Sequence, residues 1–387
     1  MRRSIPYGFH SIVEKDIDAV VEVLRSDRLT QGPAVERFEE ALADRCGARY
    51  AVAVSSGTAA LHLACLAAGV GPGDEVIAPA LTFVASANCA VYCGAIPVLA
   101  DVDADTGCLS ASEVLDKASP RTRAVIAVHY AGHPCDMDEV SEAARACGGA
   151  VIEDACHALG ASYREHAIGS CSHSDMTVFS FHPVKHITTG EGGAILTNDA
   201  GLASRLRSLR SHGITKDPTL MEALDPDRDG GWYYEMHDLG YNYRITDIQC
   251  ALGMSQLERL DEFVERRRRV KSIYDGAFAG LKGVTLPVEA PWATSSWHLY
   301  PLRVPVARRK AFFEGLREAS ILAQVHYMPV HLHPYYRHAY GYAAGDLPRA
   351  EAYYDREVSL PLFPGLSDDD VEYVASVVCS LLAGDAR

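Results

Sequence analysis

The stretch that decides the fold reads Thr177-Val-Phe-Ser-Phe-His-Pro-Val-Lys-His-Ile-Thr-Thr-Gly-Glu-Gly-Gly-Ala-Ile-Leu-Thr197. It opens with a β-rich apolar run, Val178 to Phe181, and closes with a Gly-Glu-Gly-Gly turn signal and a second apolar run, Ala194 to Leu196. These runs predict a pair of strands joined by a loop that carries a single lysine, Lys185. Such a lysine is either a solvated surface charge or an amine kept for chemistry, and lysine is the usual residue for binding a carbonyl cofactor.

Short apolar runs alternate with helical patterns before this stretch and directly after it. Alternation over this length predicts a mostly parallel α/β sheet with helices on both faces. Strands are predicted at 51–54, 76–78, 96–100, 124–128 and 150–152. Helices are predicted at 17–24 and 35–47, from the Ser55–Ala60 turn through 68, and near 83–93, 111–118, 136–147 and 199–210.

The C-terminal part follows a different order. The region 213–243 is rich in Gly, Pro, Asp and Tyr and is expected to be irregular, and one long helical pattern follows over 246–279. We therefore predict a large domain over 1–262, with an extended arm over 1–13, and a smaller α+β domain over 263–387. Within the smaller domain the patterns predict a strand at 299–304, a helix near 308–319, a strand at 322–327, a His/Tyr-rich loop and a last helix from Asp368.

The composition narrows the classes of partner and the compartment. A formal net charge of -15 disfavours nucleic acid and anionic membrane as partners. The eleven cysteines are scattered, and the close pair Cys89 and Cys93 has no matching second pair, so we expect no zinc site. The N-terminus shows no apolar signal core and no apolar run reaches membrane-spanning length, so we expect reduced thiols, no membrane segment and a cytoplasmic location.

The turn Ser55-Ser-Gly-Thr58 joins a predicted strand to a predicted helix. A helix N-terminus presents free backbone N–H groups and the positive end of the helix dipole, which suits a phosphate. Gly57 lets an anion approach the backbone, and the Ser and Thr hydroxyls can add hydrogen bonds. The same residue types are also ordinary helix caps, so the turn alone leaves both interpretations open.

Asp154 follows the predicted strand 150–152 at its carboxyl end, where open α/β sheets bind ligands. An aspartate there either keeps the ring nitrogen of a pyridine protonated, which makes the ring an electron sink, or caps a turn. His157 follows closely and either shares that site or is satisfied by nearby backbone. The phosphate turn, Asp154, Ser180 and Lys185 occur in the order that pyridoxal phosphate enzymes of this architecture use. The ordered set therefore favours chemistry over the surface interpretation of the lysine.

The chain resembles the sugar-nucleotide aminotransferases of the DegT/DnrJ/EryC1/StrS family over essentially its whole length. The resemblance implies the α/β fold of the type I pyridoxal-phosphate-dependent transferases, like aspartate aminotransferase, with a mostly parallel seven-stranded sheet and a smaller α+β C-terminal domain. It also implies pyridoxal 5'-phosphate as the cofactor. The motifs that carry it are Leu29-Thr-Gln-Gly-Pro33, Ser55-Ser-Gly-Thr-Ala-Ala-Leu61, Thr82-Phe83, Glu153-Asp-Ala-Cys-His-Ala158, Ser180-Phe-His182 with Lys185, Gly190-Glu-Gly-Gly193 and Gly240-Tyr-Asn-Tyr-Arg244.

The same resemblance implies roles for single residues. Lys185 would be the Schiff-base lysine that also moves the proton, Asp154 would pair with the ring nitrogen, and Phe83 would stack on the ring. Asn242 resembles the asparagine that reaches the cofactor phosphate of the neighbouring subunit, which implies a homodimer with shared active sites. The other cofactor-binding positions would be Gly57, Thr58, His157 and Ser180.

Within the family, the chain looks most like the branch that aminates C4 of a UDP-4-keto-6-deoxy-N-acetylhexosamine in pseudaminic acid biosynthesis. The product there is UDP-4-amino-4,6-dideoxy-N-acetyl-β-L-altrosamine, and the implied partners are the UDP-linked 4-keto sugar and L-glutamate. The stretches Arg210-Ser-His-Gly-Ile214, Ala323–Val330 and Ser359-Leu-Pro-Leu362 carry this likeness, and His157 supports it. Positions expected to line the sugar-nucleotide pocket are Tyr7, Arg28, Leu29, Thr30, Gln324, Val325, His326 and Tyr327.

Other functions remain open at this point. The substrate could be another nucleotide 4-keto sugar, of bacillosamine or perosamine type. A sugar 3-dehydratase that uses pyridoxamine phosphate is disfavoured, because such relatives have histidine in place of the lysine and Lys185 is present here. A catalytically silent regulatory homologue is a further alternative. The histidines of the C-terminal loop follow no zinc spacing and are expected to line the substrate pocket rather than to bind metal, namely His326, His331, His333 and His338.

Overall fold

A computed structural model describes residues 4–225 and 228–383. A seven-stranded sheet forms its centre, and only the strand Gly193–Thr197 runs antiparallel to its neighbours. The mostly parallel α/β sheet predicted from the sequence is therefore confirmed. In spatial order the strands are Tyr50–Val54, Gly193–Thr197, Met176–Ser180, Ala150–Asp154, Thr122–Val128, Glu75–Pro79 and Ile96–Ala100.

Side chains alternate along the buried strands and so fill a hydrophobic core on each face of the sheet. In the first strand, Ala51 and Ala53 belong to one core, whereas Val52 and Val54 belong to the other. Helices that follow the strands cover both cores, as expected for parallel connections. The helices of this part are Glu14–Leu24, Pro33–Cys46, Gly57–Ala67, Ala85–Tyr92, Ala111–Lys117, Met137–Ala146, Ala200–Arg210 and Asp247–Leu257.

The C-terminal part has a third hydrophobic core of its own, built around an antiparallel pair of strands, Tyr300–Arg303 and Glu357–Leu360. The long helix Leu260–Phe278 contributes Val270, Tyr274 and Phe278 to this core. The boundary predicted at 262 falls within that helix and stays a prediction. The other helices of this part are Val306–Glu318, Pro334–Tyr340, Pro348–Tyr354 and Asp368–Ala383.

The single helix predicted over 246–279 is wrong, because the chain forms two helices there, Asp247–Leu257 and Leu260–Phe278. The backbone leaves helical geometry at Arg259, with φ of -103° and ψ of 6°. Leu257 and Leu260 flank the break and are both buried, so the apolar spacing continues through it. Periodicity of side chains therefore gave no sign of the backbone turn.

The strand predicted over 322–327 is also largely wrong. Only Ile321–Leu322 forms a strand, and it pairs in parallel with the N-terminal strand Ile5–Pro6. Beyond it, the backbone N–H of His326 donates to the carboxyl group of Glu357 at 2.8 Å instead of to a neighbouring strand. The segment after Leu322 therefore meets the strand Glu357–Leu360 through a bridge between Gln324 and Ser359, and a side chain satisfies the next backbone N–H, that of His326.

The His/Tyr-rich segment after residue 327 is not a plain loop, since it contains the helices Pro334–Tyr340 and Pro348–Tyr354. Each begins with proline, which suits the first turn of a helix. The region 213–243 is mainly irregular, as predicted. Its short elements are the strands Ile214–Thr215 and Glu235–Met236 and the 3-10 turn Pro218–Leu220. Short elements elsewhere are the strands Ser162–Tyr163, His166–Ala167 and Ala293–Thr294 and the 3-10 turns Tyr130–Gly132 and Val330–Leu332.

Across residues 4–225 and 228–383, none of the helices has the length and apolar character needed to cross a membrane.

Candidate active site

A cavity of about 400 Å³ lies where several strands of the central sheet end. Asp154 and Ser180 are the last residues of two parallel strands, and Ser56 follows a third. Carboxyl ends of strands are the usual binding edge of an open α/β sheet. The residues predicted from sequence that line this cavity are Tyr7, Gly57, Thr58, Phe83, Asp154, His157, Ser180, Lys185, His326 and Tyr327.

The helix Gly57–Ala67 points its N-terminus at the cavity. The hydroxyl of Ser56 caps it by accepting from the N–H of Ala59 at 3.1 Å, so the capping interpretation of this turn holds for Ser56. The N–H groups of Gly57 and Thr58 belong to the first turn and have no helical carbonyl to bind, which leaves them for an anion. A Cβ atom on Gly57 would lie 2.8 Å from Cβ of Ser180, so only glycine fits this close approach.

Asp154 is buried where it lines the cavity, and both oxygens of its carboxylate accept hydrogen bonds. Oδ2 accepts from the hydroxyl of Ser86 at 2.6 Å, and Oδ1 accepts from the N–H of Cys156 at 3.2 Å. The hydroxyl of Ser86 also lies 2.8 Å from that of Thr82. These contacts fix the orientation of the carboxylate while it still faces the cavity.

Lys185 lies in the loop between the antiparallel strands Met176–Ser180 and Gly193–Thr197, as predicted. Burial lowers the pKa of its amine to about 8, with Cys156 and Asp154 acting in the opposite direction and the charge of Arg267 adding to the effect. At pH 7 a lysine with that pKa is neutral in about one molecule in ten. A neutral amine is the nucleophilic form and the form that accepts a proton.

Aromatic side chains form the remaining walls. Phe83 is 55% exposed although it lines the cavity, so one face of its ring is open to a ligand. Nε2 of His157 lies 3.0 Å from the hydroxyl of Tyr327, and the two rings stack with centroids 6.0 Å apart. Burial, with the charge of Lys185, holds the pKa of His157 well below its usual range, so this imidazole is neutral.

Six of the predicted site residues do not line the cavity of their own chain. Arg28 lines a second cleft of about 400 Å³ together with Arg207, Arg210 and Arg244. Asn242 forms a backbone bridge with Ser211, well outside the cavity lining. The others are Leu29, Thr30, Gln324 and Val325.

The expectation for the histidine-rich loop is wrong for three of its four members. His326 lines the cavity, whereas His331 is buried and bonds through Nε2 to the carboxylate of Glu351 at 2.8 Å. His333 and His338 lie at the helix Pro334–Tyr340 and do not line the cavity. The clustering of histidines in sequence gave no information about which one faces the cavity.

Sequence reasoning missed several residues that line the cavity. Ser86 lies on the helix Ala85–Tyr92 and contacts Asp154, which is 68 residues away in the sequence, so no local spacing indicates this contact. Glu191 belongs to the quoted Gly-Glu-Gly-Gly turn. His298 gave no signal in the sequence, and its ring lies 4.4 Å from that of His157 only because the C-terminal part folds back.

Pyridoxal phosphate fits this set of residues. The helix N-terminus at Gly57 suits the phosphate, the carboxylate of Asp154 suits the ring nitrogen, and the amine of Lys185 suits the carbonyl carbon. All three line one cavity, and a cavity of this size is in the range of small-molecule sites. The exposed ring of Phe83 would supply the stacking surface for the cofactor ring.

Comparison with known proteins gives concordant results. The model of the DegT/DnrJ/EryC1/StrS aminotransferase family matches residues 10–379. The chain is 41% identical over 385 residues to the spore coat polysaccharide biosynthesis protein SpsC of Bacillus subtilis, covering 98% of this chain and 97% of that protein.

Two solved structures show the same fold at full length. Helicobacter pylori PseC, an aminotransferase involved in the biosynthesis of pseudaminic acid, matches with a TM-score of 0.90 and 32% identity, covering 98% of this chain and 100% of that chain. Streptococcus pneumoniae Spr1654, solved in PLP and PMP forms, matches in the PMP form with a TM-score of 0.90 and 31% identity, covering 98% of both chains.

Proposed function

The chain belongs to the DegT/DnrJ/EryC1/StrS aminotransferase family and is a pyridoxal-phosphate-dependent sugar aminotransferase, and we propose that its substrate is a UDP-linked 4-keto-6-deoxy-N-acetylhexosamine. L-Glutamate would donate the amino group, and the product would be UDP-4-amino-4,6-dideoxy-N-acetyl-β-L-altrosamine. The likeness to Helicobacter pylori PseC supports this choice of sugar. The observation that carries the proposed catalytic roles is the presence of Lys185, Asp154 and the Gly57 helix N-terminus in one cavity.

Bound pyridoxal phosphate supplies an electron sink and carries the amino group from donor to acceptor. Lys185, as a neutral amine, takes a proton from the α-carbon of glutamate and later delivers one at C4 of the sugar. Asp154 keeps the ring nitrogen protonated, and Ser86 holds the carboxylate in place for that task. Gly57, Thr58 and Ser180 would hold the phosphate, and Phe83 and His157 would contact the ring.

The sugar nucleotide would occupy the outer part of the cavity. Tyr7, His326 and Tyr327 line it from the N-terminal arm and the C-terminal part, so substrate would lie between the two parts of the chain. These aromatic walls exclude water from the reacting centre, which protects carbon–nitrogen double bonds from hydrolysis.

A homodimer with shared active sites is part of the proposal. Arg28, Leu29, Thr30 and Asn242 would complete the cavity of the partner subunit, because they do not reach the cavity of their own chain. The segment that precedes Asn242 carries exposed apolar side chains that a second copy would cover, including Trp232 at 76% and Leu239 at 78% exposure. All eleven cysteines are free thiols, which supports a cytoplasmic location.

The test is to incubate the holoenzyme with L-glutamate and a panel of UDP- and dTDP-linked 4-keto sugars and to identify each product by NMR. The proposal expects stoichiometric 2-oxoglutarate and amination at C4, with highest kcat/KM for the UDP-4-keto-6-deoxy-N-acetylhexosamine. A higher kcat/KM for a bacillosamine- or perosamine-type sugar would contradict the proposed substrate but not the proposed amination reaction.

The panel also separates the other functions. A 3-deoxy product without release of 2-oxoglutarate would instead identify a dehydratase. Cofactor binding with no half-reaction toward glutamate would identify a silent homologue. The Lys185→Ala protein serves as the matched control for background reactions of the free cofactor, because it changes one cavity side chain.

A further inference from the structure

His326 is connected to two buried polar residues that the proposed reaction does not use. Its Nδ1 lies 2.9 Å from the hydroxyl of Ser359, and that hydroxyl contacts Oε1 of Glu357. The other carboxyl oxygen of Glu357 accepts the backbone N–H of His326 at 2.8 Å. Glu357 and Ser359 are completely buried, whereas His326 lines the cavity. A continuous hydrogen-bonded chain therefore runs from the interior of the C-terminal part to the proposed substrate site.

This chain has two consistent arrangements of its hydrogens. If Glu357 is ionised, the hydroxyl of Ser359 donates to the carboxylate and accepts from Nδ1–H of His326, so Nε2 carries a lone pair. If Glu357 is protonated, the carboxyl O–H donates to Ser359, which then donates to Nδ1, so Nε2 carries the hydrogen. One proton on Glu357 thus decides whether His326 offers the cavity a donor or an acceptor.

We propose that Glu357 and Ser359 are positioning residues that set the tautomer of His326, and that protonated Glu357 makes Nε2–H a hydrogen-bond donor to the sugar nucleotide. The inference rests on the proposed function, because it takes His326 to contact that substrate. A donor selects an oxygen that can only accept, such as the keto or acetamido carbonyl. A hydroxyl group can both donate and accept, so it would bond to either tautomer and would not be selected by this arrangement.

The backbone places these residues firmly. Glu357 and Ser359 lie two apart on the strand Glu357–Leu360, so their side chains project from the same face of it. Gln324 pairs with Ser359 through two backbone hydrogen bonds, of 3.2 and 2.8 Å, and so fixes the segment that carries His326. The hydroxyl of Tyr130 donates to the carbonyl of His326 from the large domain. The backbone of the segment that carries His326 is thereby held at Gln324 and at His326 itself.

The burial of Glu357 favours its protonated form. Burial raises the pKa of Glu357 to about 8, although bonds from Ser359 and the N–H of His326, and the charge of Arg309, act in the opposite direction. Burial and the charge of Lys185 lower the pKa of His326 to about 3, so its imidazole stays neutral and only its tautomer changes. The groups that face Glu357 from neighbouring elements are Tyr130, Arg303, Arg309, His326, Tyr327 and Tyr353.

The test compares KM for the UDP-4-keto sugar at pH 7 and pH 9 in wild-type holoenzyme and three variants. In wild type, KM should rise about fivefold between these values, because a hydrogen bond worth about tenfold in affinity is lost as Glu357, with a pKa of about 8, ionises. Glu357→Gln has an amide that donates to Ser359 as the protonated acid does, so its KM should match wild type at pH 7 and stay level at pH 9. Ser359→Ala breaks the chain and should raise KM about tenfold at both values.

The matched control is Glu351→Gln, which changes another glutamate that bonds a buried histidine, His331, outside the cavity. It should keep the wild-type rise in KM. The half-reaction with glutamate should be unchanged in all variants, since His326 is proposed to contact only the sugar. A Glu357→Gln protein that retains the alkaline rise, or that loses affinity at pH 7 as Ser359→Ala does, would overturn the inference.

A direct readout separates this inference from the proposed function. Nitrogen-15 NMR of labelled histidine distinguishes protonated from unprotonated ring nitrogens, and a His326→Gln sample identifies the signal. Nε2 should carry the hydrogen at pH 7 and Nδ1 at pH 9 in wild type, with no change in Glu357→Gln. If the tautomer changes with pH but no keto sugar is aminated, the proposed function fails and the control of the tautomer stands. If the tautomer does not change with pH, the inference fails and the proposed function stands.

Discussion

The cavity around Lys185 and the cleft around Arg28 have similar volumes, about 400 Å³ each, but opposite construction. The cavity combines an amine, a carboxylate, a helix N-terminus and aromatic rings that one chain brings together at the end of its sheet. The cleft presents Arg28, Arg207, Arg210 and Arg244. Arg210 is committed to Glu39 at 2.6 Å and to the carbonyl of Ala53 at 2.7 Å. A single chain thus brings the groups proposed for chemistry into one cavity, whereas Arg28, which we propose for recognition, lines a separate cleft.

The comparison predicts that removing the amine from the cavity has the largest effect. Lys185→Ala should reduce kcat at least about ten-thousandfold, because both proton transfers depend on this amine. After borohydride reduction, mass spectrometry should find the cofactor on Lys185 in wild type and nowhere in the variant. Lys310→Ala, which removes an exposed lysine, should behave as wild type. Labelling of a different lysine would contradict the assignment.

Mixing two inactive proteins tests whether cavity and surface belong to different subunits. Equal amounts of Lys185→Ala and Asn242→Ala chains should regain about a quarter of wild-type activity, since half of the dimers then hold one complete site of two. Subunit exchange followed by a kcat measurement checks this. A mixture of Lys185→Ala with Lys310→Ala should instead give about half of wild-type activity, because every Lys310→Ala chain keeps a complete site. If Asn242→Ala mixtures stay inactive while that control recovers, the shared site is wrong.

Within the cavity, a positioning contact should matter less than the groups it positions. Ser86→Ala removes the hydrogen bond to Oδ2 of Asp154 and should lower kcat about tenfold to a hundredfold, the usual range for a hydrogen bond to a charged group. Cofactor affinity, measured by absorbance titration, should fall in parallel. Ser110→Ala, at an exposed serine bonded only to Ser112, is the control. An unchanged kcat for Ser86→Ala would mean that Asp154 needs no support.

On the cleft side, Arg28→Ala should raise KM for the sugar nucleotide about tenfold while leaving the half-reaction with glutamate unchanged. The reason is that a guanidinium binds the diphosphate but touches no reacting atom. Stopped-flow absorbance gives the half-reaction, and steady-state kinetics gives KM. Loss of the glutamate half-reaction would show that cleft and cavity are not separable.

The smallest effect concerns folding of the apoprotein. Because the pKa of Lys185 is lowered to about 8, the folded protein has released this proton between pH 8 and 10.5, while the unfolded chain still binds it. Stability from this group therefore rises with pH in that window. Lys185→Met should remove the rise and change the pH dependence of Tm by roughly 2 to 4 °C, measured by calorimetry. Lys310→Met should keep it.

The same contrast explains how much the sequence could predict. Asp154 and Ser180 follow apolar strands, and Gly57 opens a helix after another, so topology alone brings them to one edge. Lys185 could be placed in its loop, but its role depended on these partners and on the family resemblance. Ser86 contacts Asp154 from a distant helix, and His298 depends on how the C-terminal part packs, so local spacing indicates neither residue.

Other parts were beyond local patterns. After Leu322 the chain makes a bridge between Gln324 and Ser359, and a carboxyl group accepts the backbone N–H of His326, which no spacing rule indicates. The break at Arg259 leaves the apolar spacing intact, so helical periodicity could not detect it. The roles that we propose for Arg28 and Asn242 depend on a dimer, and a single sequence shows only that these residues resemble family positions.

The antiparallel strand Gly193–Thr197 has a consequence for which motions can interrupt activity. It pairs with Met176–Ser180 on one side and Tyr50–Val54 on the other. The loop that carries Lys185 therefore ends in a strand that has hydrogen-bonded neighbours on both sides. Amide hydrogens there should exchange with solvent only through global unfolding, whereas those of the exposed segment after Gly213 should exchange through small local openings. Local fluctuations would then withdraw Asn242 from the partner subunit's site much more often than they would release the cofactor.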